Sequence, residues 1–226
     1  MCGRFAFYSP AEAVSRLFSV EDPPQIEPRY NIAPTQFVPI VRDHEDEPRT
    51  VSMLRWGLLP FWAKDKSIAS RLINARAETV AEKPAYRDSF KKRRCIVPVN
   101  GFYEWVKQGS SKQPYFISQG GDEPFGLAGL WSTWRDKKNE DEIIETFTII
   151  TTTANEAIAS LHHRMPVVLA RDDYDEWLAV DHDNASDLQR LLVPAPPESF
   201  KNWPVSRQVN NARNEGPELV TPDSLV

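Results

Sequence analysis

Seven stretches rich in β-branched and aromatic residues, at 38–42, 50–59, 95–106, 114–118, 126–132, 146–153 and 167–170, follow one another between Pro, Gly or charged turns. Such runs read as strands. A parallel sheet needs a crossover helix between successive strands, and this chain lacks regular strand and helix alternation, so its strands must pair mainly antiparallel. The expectation is an α+β fold: a single compact domain over residues 1–226, with a mainly antiparallel, barrel-like core flanked by short helices. Ser9, Pro10, Ala11 and Glu12 read as a capping-box start with Pro at the first helical position, after which Val14, Leu17 and Phe18 share one helix face. Further short helices are expected at 155–161, 173–179 and 187–192, the last opened by Ser186 with Gln189 three residues on.

Composition excludes several classes. No apolar run approaches the ~18 residues of a membrane span, and the N-terminus lacks a basic stretch followed by an apolar signal core. A soluble cytosolic or nuclear protein without membrane partners is expected. The only cysteines are Cys2 and Cys95, too few for a disulfide framework. With His44, His162, His163 and His182 they show no metal-ligand spacing, so neither a metal nor another cofactor is expected. The net charge of −5 hides a polarity: residues 1–110 sum to +4 and residues 111–226 to −9. Residues 51–110 carry 12 basic and 5 acidic side chains, including the run Lys91, Lys92, Arg93 and Arg94. Screening confines each patch to its own ~8–10 Å neighbourhood, so one side of a net acidic molecule can hold phosphate.

The chain begins Met1, Cys2, Gly3, Arg4, Phe5. Because Cys is small, removal of the initiator Met is expected, exposing an α-amine and a thiol on one residue. An α-amine has a reference pKa near ~8, so about a tenth or more is a neutral nucleophile at pH 7. It can attack an aldehyde to give an imine, which the neighbouring sulfur can close to a thiazolidine. A fraying tail would make this idle chemistry, but Gly3 to Phe7 read as the start of an ordered strand. A competing reading is a glutamine amidotransferase, in which an N-terminal Cys forms a thioester. Asn100–Gly101 mimics the oxyanion element of that class, yet no Arg-rich segment follows to grip a glutamine carboxylate.

The segments MCGRF at 1–5, RYNIAP at 29–34, RWGLLPFW at 55–62, INARAET at 73–79, RRCIVPVNGFYEW at 93–105, LHHRMPVVL at 161–169 and PVSRQVNNARN at 204–214 resemble the SRAP family, the SOS response-associated peptidases or abasic-site processing proteins. The resemblance implies an α+β fold around a barrel-like core and recognition of abasic sites in single-stranded DNA. It also implies covalent crosslinking through Cys2 that shields the lesion, and removal of Met1, including by self-processing. It puts Cys2 as nucleophile, Asn74 as the group that orients the Cys2 adduct, and Glu104 and His162 as an acid/base pair. Alternation places Glu104 on the same side as Phe102 and Val106, where desolvation raises its pKa. His162, selected over His163 by the motif, would protonate the opened sugar oxygen. Arg4, Arg76 and Arg164 are candidate phosphate ligands, against the alternative of internal ion pairs such as Arg76 with Glu78. Trp62 and Trp105 are candidates for stacking on flanking bases, and Asn31 for a polar contact near the site. The expected partner is single-stranded DNA containing abasic sites, bound by a monomer that is nucleoid-associated in a bacterium and nuclear in a eukaryote. A non-catalytic single-stranded DNA module remains an alternative, as does the amidotransferase-type hydrolase.

Overall fold

The computed structural model describes residues 2–44, 47–121, 123–136, 139, 141–180 and 185–223 of the 226-residue chain. Among these the strands are, in order, β1 (Phe5–Phe7), β2 (Arg29–Ile32), β3 (Phe37–Arg42), β4 (Thr50–Trp56), β5 (Asn74–Arg76), β6 (Arg94–Val99), β7 (Gly101–Gln108), β8 (Ser111–Ser118), β9 (Phe125–Arg135), β10 (Ile143–Thr153), β11 (Arg164–Pro166) and β12 (Lys201–Pro204). The α-helices are α1 (Ala11–Phe18), α2 (Arg87–Lys92), α3 (Glu156–Ala159) and α4 (Tyr174–Leu178).

Strand β10 is the hub. It pairs antiparallel with β9, which leads through β6, β3 and β4 back to β10, so five strands close into a barrel. The closing β4–β10 contact is parallel, with Thr146 opposite Arg55 and Phe147 opposite Trp56. Beyond this seam β10 continues into a parallel pairing with β5 and an antiparallel one with β11. The second sheet, in the order β12-β8-β7-β1-β2, is antiparallel throughout. The α+β, barrel-centred architecture expected from the strand succession is the one observed.

Two of the three hydrophobic clusters among the described residues join these layers. The larger fills the barrel and joins it to β1, with Phe5 against Trp56 at a 5.0 Å ring separation. The smaller lies around Ala6, Tyr103, Phe116, Val205, Val209 and Leu219, packing the C-terminal segment onto the second sheet. Because β1 alternates, Phe5 and Phe7 belong to the first cluster and Ala6 to the second. The N-terminal strand is thereby buried on both faces.

Several boundaries differ from expectation. The run 95–106 is two strands in two sheets, broken at Asn100. A Cβ at Gly101 would lie 2.3 Å from the Phe116 ring and 2.6 Å from the Ile117 carbonyl oxygen, so only glycine lets the chain cross there. Strand β4 ends at Trp56 instead of residue 59, because Gly57 turns the backbone at φ +119°. Residues 167–170 make a single bridge, Leu127 with Val168, and the ladder itself runs from Arg164 to Pro166. The capping box is absent: Pro10 is the N-cap and no side chain caps α1. The Ser9 hydroxyl is engaged elsewhere, accepting from Asn100 Nδ2 at 2.7 Å. The expected 187–192 helix is a 3-10 segment, Ala185–Leu191, and its proposed cap, Ser186, falls outside the described side chains.

Candidate active site around Cys2

Ladder pairing carries the N-terminus into the molecule. Phe5 lies opposite Phe102 and Ala6 opposite Gly101. The Tyr103 N–H then donates to the Arg4 carbonyl at 3.0 Å, extending the alignment toward Cys2 and Glu104. Cys2 is fully buried. Its carbonyl accepts a hydrogen bond from Asn74 Nδ2 at 2.8 Å. Asn74 opens β5 opposite Ile149, and its own carbonyl accepts from the Tyr86 hydroxyl at 3.0 Å. The same edge is fastened by Thr151, whose Oγ1 donates to the Ala75 carbonyl and whose carbonyl accepts from Ala77 N–H. The expected nucleophile and the expected orienting amide are therefore in direct contact. Met1 lies outside the described residues.

Burial sets the proton affinities. The Cys2 thiol is pushed up to about 12 by desolvation, with the negative charge of Glu104 adding to it. It is a protonated thiol at neutral pH. Glu104, 4% exposed on β7, is itself pushed above the usual carboxylate range, chiefly by burial. His162 is shifted the other way, its cation disfavoured first by burial. The Arg164 backbone N–H donates to His162 Nδ1 at 2.9 Å, so a neutral ring in this arrangement carries its proton on Nε2. The His162 and His163 rings stack at 4.3 Å, His163 being the exposed one. Of the two expected proton-transfer groups, Glu104 acts electrostatically on the Cys2 thiol, and His162 is held by Arg164.

The six expected DNA contacts fall into two groups. Arg76 and Trp62 are exposed, with Trp62 held at its indole N–H by the Pro84 carbonyl. Trp105 is half-buried and donates to Asn210 Oδ1 at 2.7 Å. Asn31, by contrast, has no exposed surface and is placed inside the protein. Its Oδ1 accepts from Arg4 Nη1 at 2.6 Å while its Nδ2 reaches the carbonyls of Val209, Asn211 and Asn214. The amide expected as a polar contact near the site is bonded to Arg4 and the C-terminal segment. Arg4 is half-buried between this amide, the Val209 carbonyl at 2.8 Å and the Trp105 ring. Arg164 is 9% exposed and forms a two-pronged ion pair with Glu78 at 2.7 and 3.0 Å, also donating to Thr151. Its guanidinium is engaged by Glu78 and Thr151 in this structure. The internal partner of Glu78 is therefore Arg164 and not Arg76. Three buried atoms of these residues, Asn74 Oδ1, Arg4 Nε and Arg164 Nε, have no hydrogen-bond partner among the described residues.

The basic run that begins in the last turn of α2 is divided. Lys91 and Lys92 are exposed, Arg93 lies over Trp131, and Arg94 is buried against the carbonyls of Phe90, Lys91, Trp177 and Ala179. Asn100 is buried too, its amide bonded to Tyr8 N–H and the Ser9 hydroxyl. It therefore does not supply an oxyanion element. Glu78, Tyr86 and Thr151 are the site residues that the sequence did not assign a role; only Glu78, inside the INARAET segment, carried any signal.

A family model described as SOS response associated peptidase (SRAP) matches residues 1–212. The chain is 39% identical over 225 residues to the abasic site processing protein YoaM of Bacillus subtilis, covering 97% of each sequence. It is 32% identical over 228 residues to the abasic site processing protein HMCES of Gallus gallus, covering 88% of this chain and 67% of that one. A crystal structure of a protein from Bacteroides thetaiotaomicron superposes with a TM-score of 0.87 at 28% identity, covering 98% of this chain and 100% of the other. A phage-related protein from Bordetella bronchiseptica superposes with a TM-score of 0.70 at 29% identity, over 91% and 95%.

Proposed function

The chain belongs to the SOS response-associated peptidase (SRAP) family, and we propose that it captures abasic sites in single-stranded DNA by a covalent bond to Cys2. The observation that carries this reading is the contact between Asn74 Nδ2 and the Cys2 carbonyl, which fixes a buried N-terminal residue beside Glu104. Relatives named abasic site processing proteins support the substrate class.

The reaction requires Met1 to be removed, and the peptidase in the family's description fits self-removal. The Cys2 amine attacks C1′ of the opened sugar; as the ring opens, its ring oxygen takes a proton from His162 Nε2, and the proton released by the C1′ hydroxyl replaces it. Protonated Glu104 gives its proton to the departing hydroxyl of the carbinolamine and takes one back from the nitrogen, so that water leaves and a neutral imine forms. The thiol then adds to the imine carbon and its proton passes to nitrogen, closing a thiazolidine. Aldehyde and aminothiol give ring and one water. The amine acts first because the thiol is held protonated. This ordering also disfavours an amidotransferase, which needs a reactive thiolate and a free oxyanion donor where Asn100 is engaged. An imine intermediate permits β-elimination, so weak strand cleavage is part of the proposal.

Exposed Arg76 and Trp62 and half-buried Trp105 are assigned to the DNA strand on either side of the lesion. The test is crosslinking with strands carrying an abasic site, a tetrahydrofuran analogue without an aldehyde, or no lesion. A heat-stable adduct is expected only with the first and is lost in Cys2→Ala. Cys2→Ser keeps an amine but closes its ring less well, so borohydride-trappable imine and strand cleavage should rise. An adduct of undiminished yield in Cys2→Ala contradicts the assignment.

A further inference from the structure

We propose that Glu78 is a positioning residue for His162, acting through Arg164; the inference rests on the covalent-capture reading above. Glu78 follows β5, the strand that presents Asn74 to Cys2, while His162 lies two residues before β11. These segments flank β10 and do not pair with each other. Their direct link is the carboxylate of Glu78 on the guanidinium of Arg164, with both oxygens engaged at 2.7 and 3.0 Å. Arg164 is simultaneously tied to Thr151 on β10, so one side chain spans three adjacent segments.

The connection from this clasp to the imidazole is short. The backbone N–H of Arg164 donates to His162 Nδ1 at 2.9 Å, and the Arg164 carbonyl lies 3.2 Å from the same nitrogen. Only one of these contacts can be a hydrogen bond at a time. An N–H toward Nδ1 requires its lone pair and leaves the proton on Nε2; a proton on Nδ1 turns the ring to the carbonyl instead. Small movements of the Arg164 backbone therefore select which ring nitrogen carries the proton. Glu78, by holding the side chain of that same residue, fixes the choice. A bidentate carboxylate gives orientation as well as attraction, because a planar guanidinium cannot rotate between two fixed oxygens.

Glu78 is not required to touch DNA or the reacting atoms in this account. Its side chain is 47% exposed, and the hydrogen bonds it accepts from Arg164 hold it below the usual carboxylate range. Glu78→Gln keeps one acceptor and loses the second prong. Glu78→Asp keeps the charge but shortens the reach.

The test uses the full chain and three readouts. Binding is measured with a single strand carrying the tetrahydrofuran analogue, the first-order rate of adduct formation at saturating abasic strand is followed against pH, and the His162 ring nitrogens are observed by ¹⁵N NMR. Glu78→Gln is expected to leave binding within about twofold while slowing the saturated rate by about tenfold. Its pH profile should move, and the His162 signals should shift from an Nε2-protonated pattern toward mixed tautomers. Glu78→Asp should recover part of both. An unchanged saturated rate, pH profile and nitrogen pattern in Glu78→Gln overturns the proposal, even if melting temperature falls, as does a loss confined to binding. If Glu78→Gln does not fold, a His162 nitrogen pattern in wild-type protein without Nε2 protonation overturns it directly. Failure of wild-type protein to crosslink any abasic strand overturns covalent capture instead, and the nitrogen pattern still judges the clasp.

Discussion

Asn74 and Cys2, 72 positions apart in the chain, meet through one hydrogen bond of 2.8 Å from the Asn74 amide to the Cys2 carbonyl. The bond joins β5, carried on the edge of the barrel, to the N-terminal segment, carried by the second sheet. It adds a side-chain anchor to a residue already buried in the main hydrophobic cluster. Asn74→Ala is expected to slow adduct formation about 10- to 100-fold at saturating abasic DNA, with binding of the tetrahydrofuran strand unchanged. Stability should fall by only about 1 kcal/mol, the worth of a single hydrogen bond. Equal losses in rate and binding contradict an orienting role.

Glu104 gives a pH signature. Its folded-state affinity for protons is raised by burial, so its contribution to stability is full below the ordinary carboxylate pKa and is lost as pH rises through the raised one. Glu104→Gln removes the penalty of ionising a buried acid. The melting temperature of this variant relative to wild type should therefore climb with pH, while adduct formation falls sharply and loses the alkaline limb that reports a proton donor. A pH-independent difference in melting temperature contradicts the burial argument.

Asn31 and Arg76 separate two kinds of polar residue in matched motifs. Asn31→Ala removes an amide bonded to Arg4 and three backbone carbonyls, and should cost about 2–4 kcal/mol in denaturant unfolding. Arg76→Ala, at an exposed position, should leave stability within ~0.5 kcal/mol. It should weaken DNA binding and reduce the dependence of log affinity on log salt by about one. The reverse pattern contradicts the assignment of the two.

Both thiols should resist alkylation in the native protein. Cys2 is pushed up to about 12 and Cys95, fully buried, is pushed up further, each mainly by desolvation. Iodoacetamide at neutral pH is expected to label neither at the rate of an unfolded control. Rapid labelling of Cys2 would instead favour a thiolate-first mechanism.

The barrel strands were legible because β-branched and aromatic runs announce buried strands. Glu104 was legible because period-two alternation places it beside Phe102. The break at Asn100 was not, since 95–106 is a continuous strand-like run and the change of sheet depends on the contact between Gly101 and Phe116, 15 residues on. The role of Asn31 was hidden for a related reason: the partners of its Nδ2 are backbone carbonyls 178 to 183 positions away, which no side-chain pattern reveals. The choice of Arg164 over Arg76 by Glu78 likewise follows from strand order, because β11 and β5 are brought together by β10. Motif letters named both arginines without telling which faces inward.

The central claim is tested most directly by peptide mapping of the protein after incubation with a single strand carrying one abasic site. Tandem mass spectrometry should find one modified peptide, beginning at Cys2 without Met1, whose mass equals peptide plus digested nucleotide remnant less one water. The bond should survive without borohydride. A modification on a lysine, or a Cys2 peptide that still carries Met1 in crosslinked protein, would contradict it.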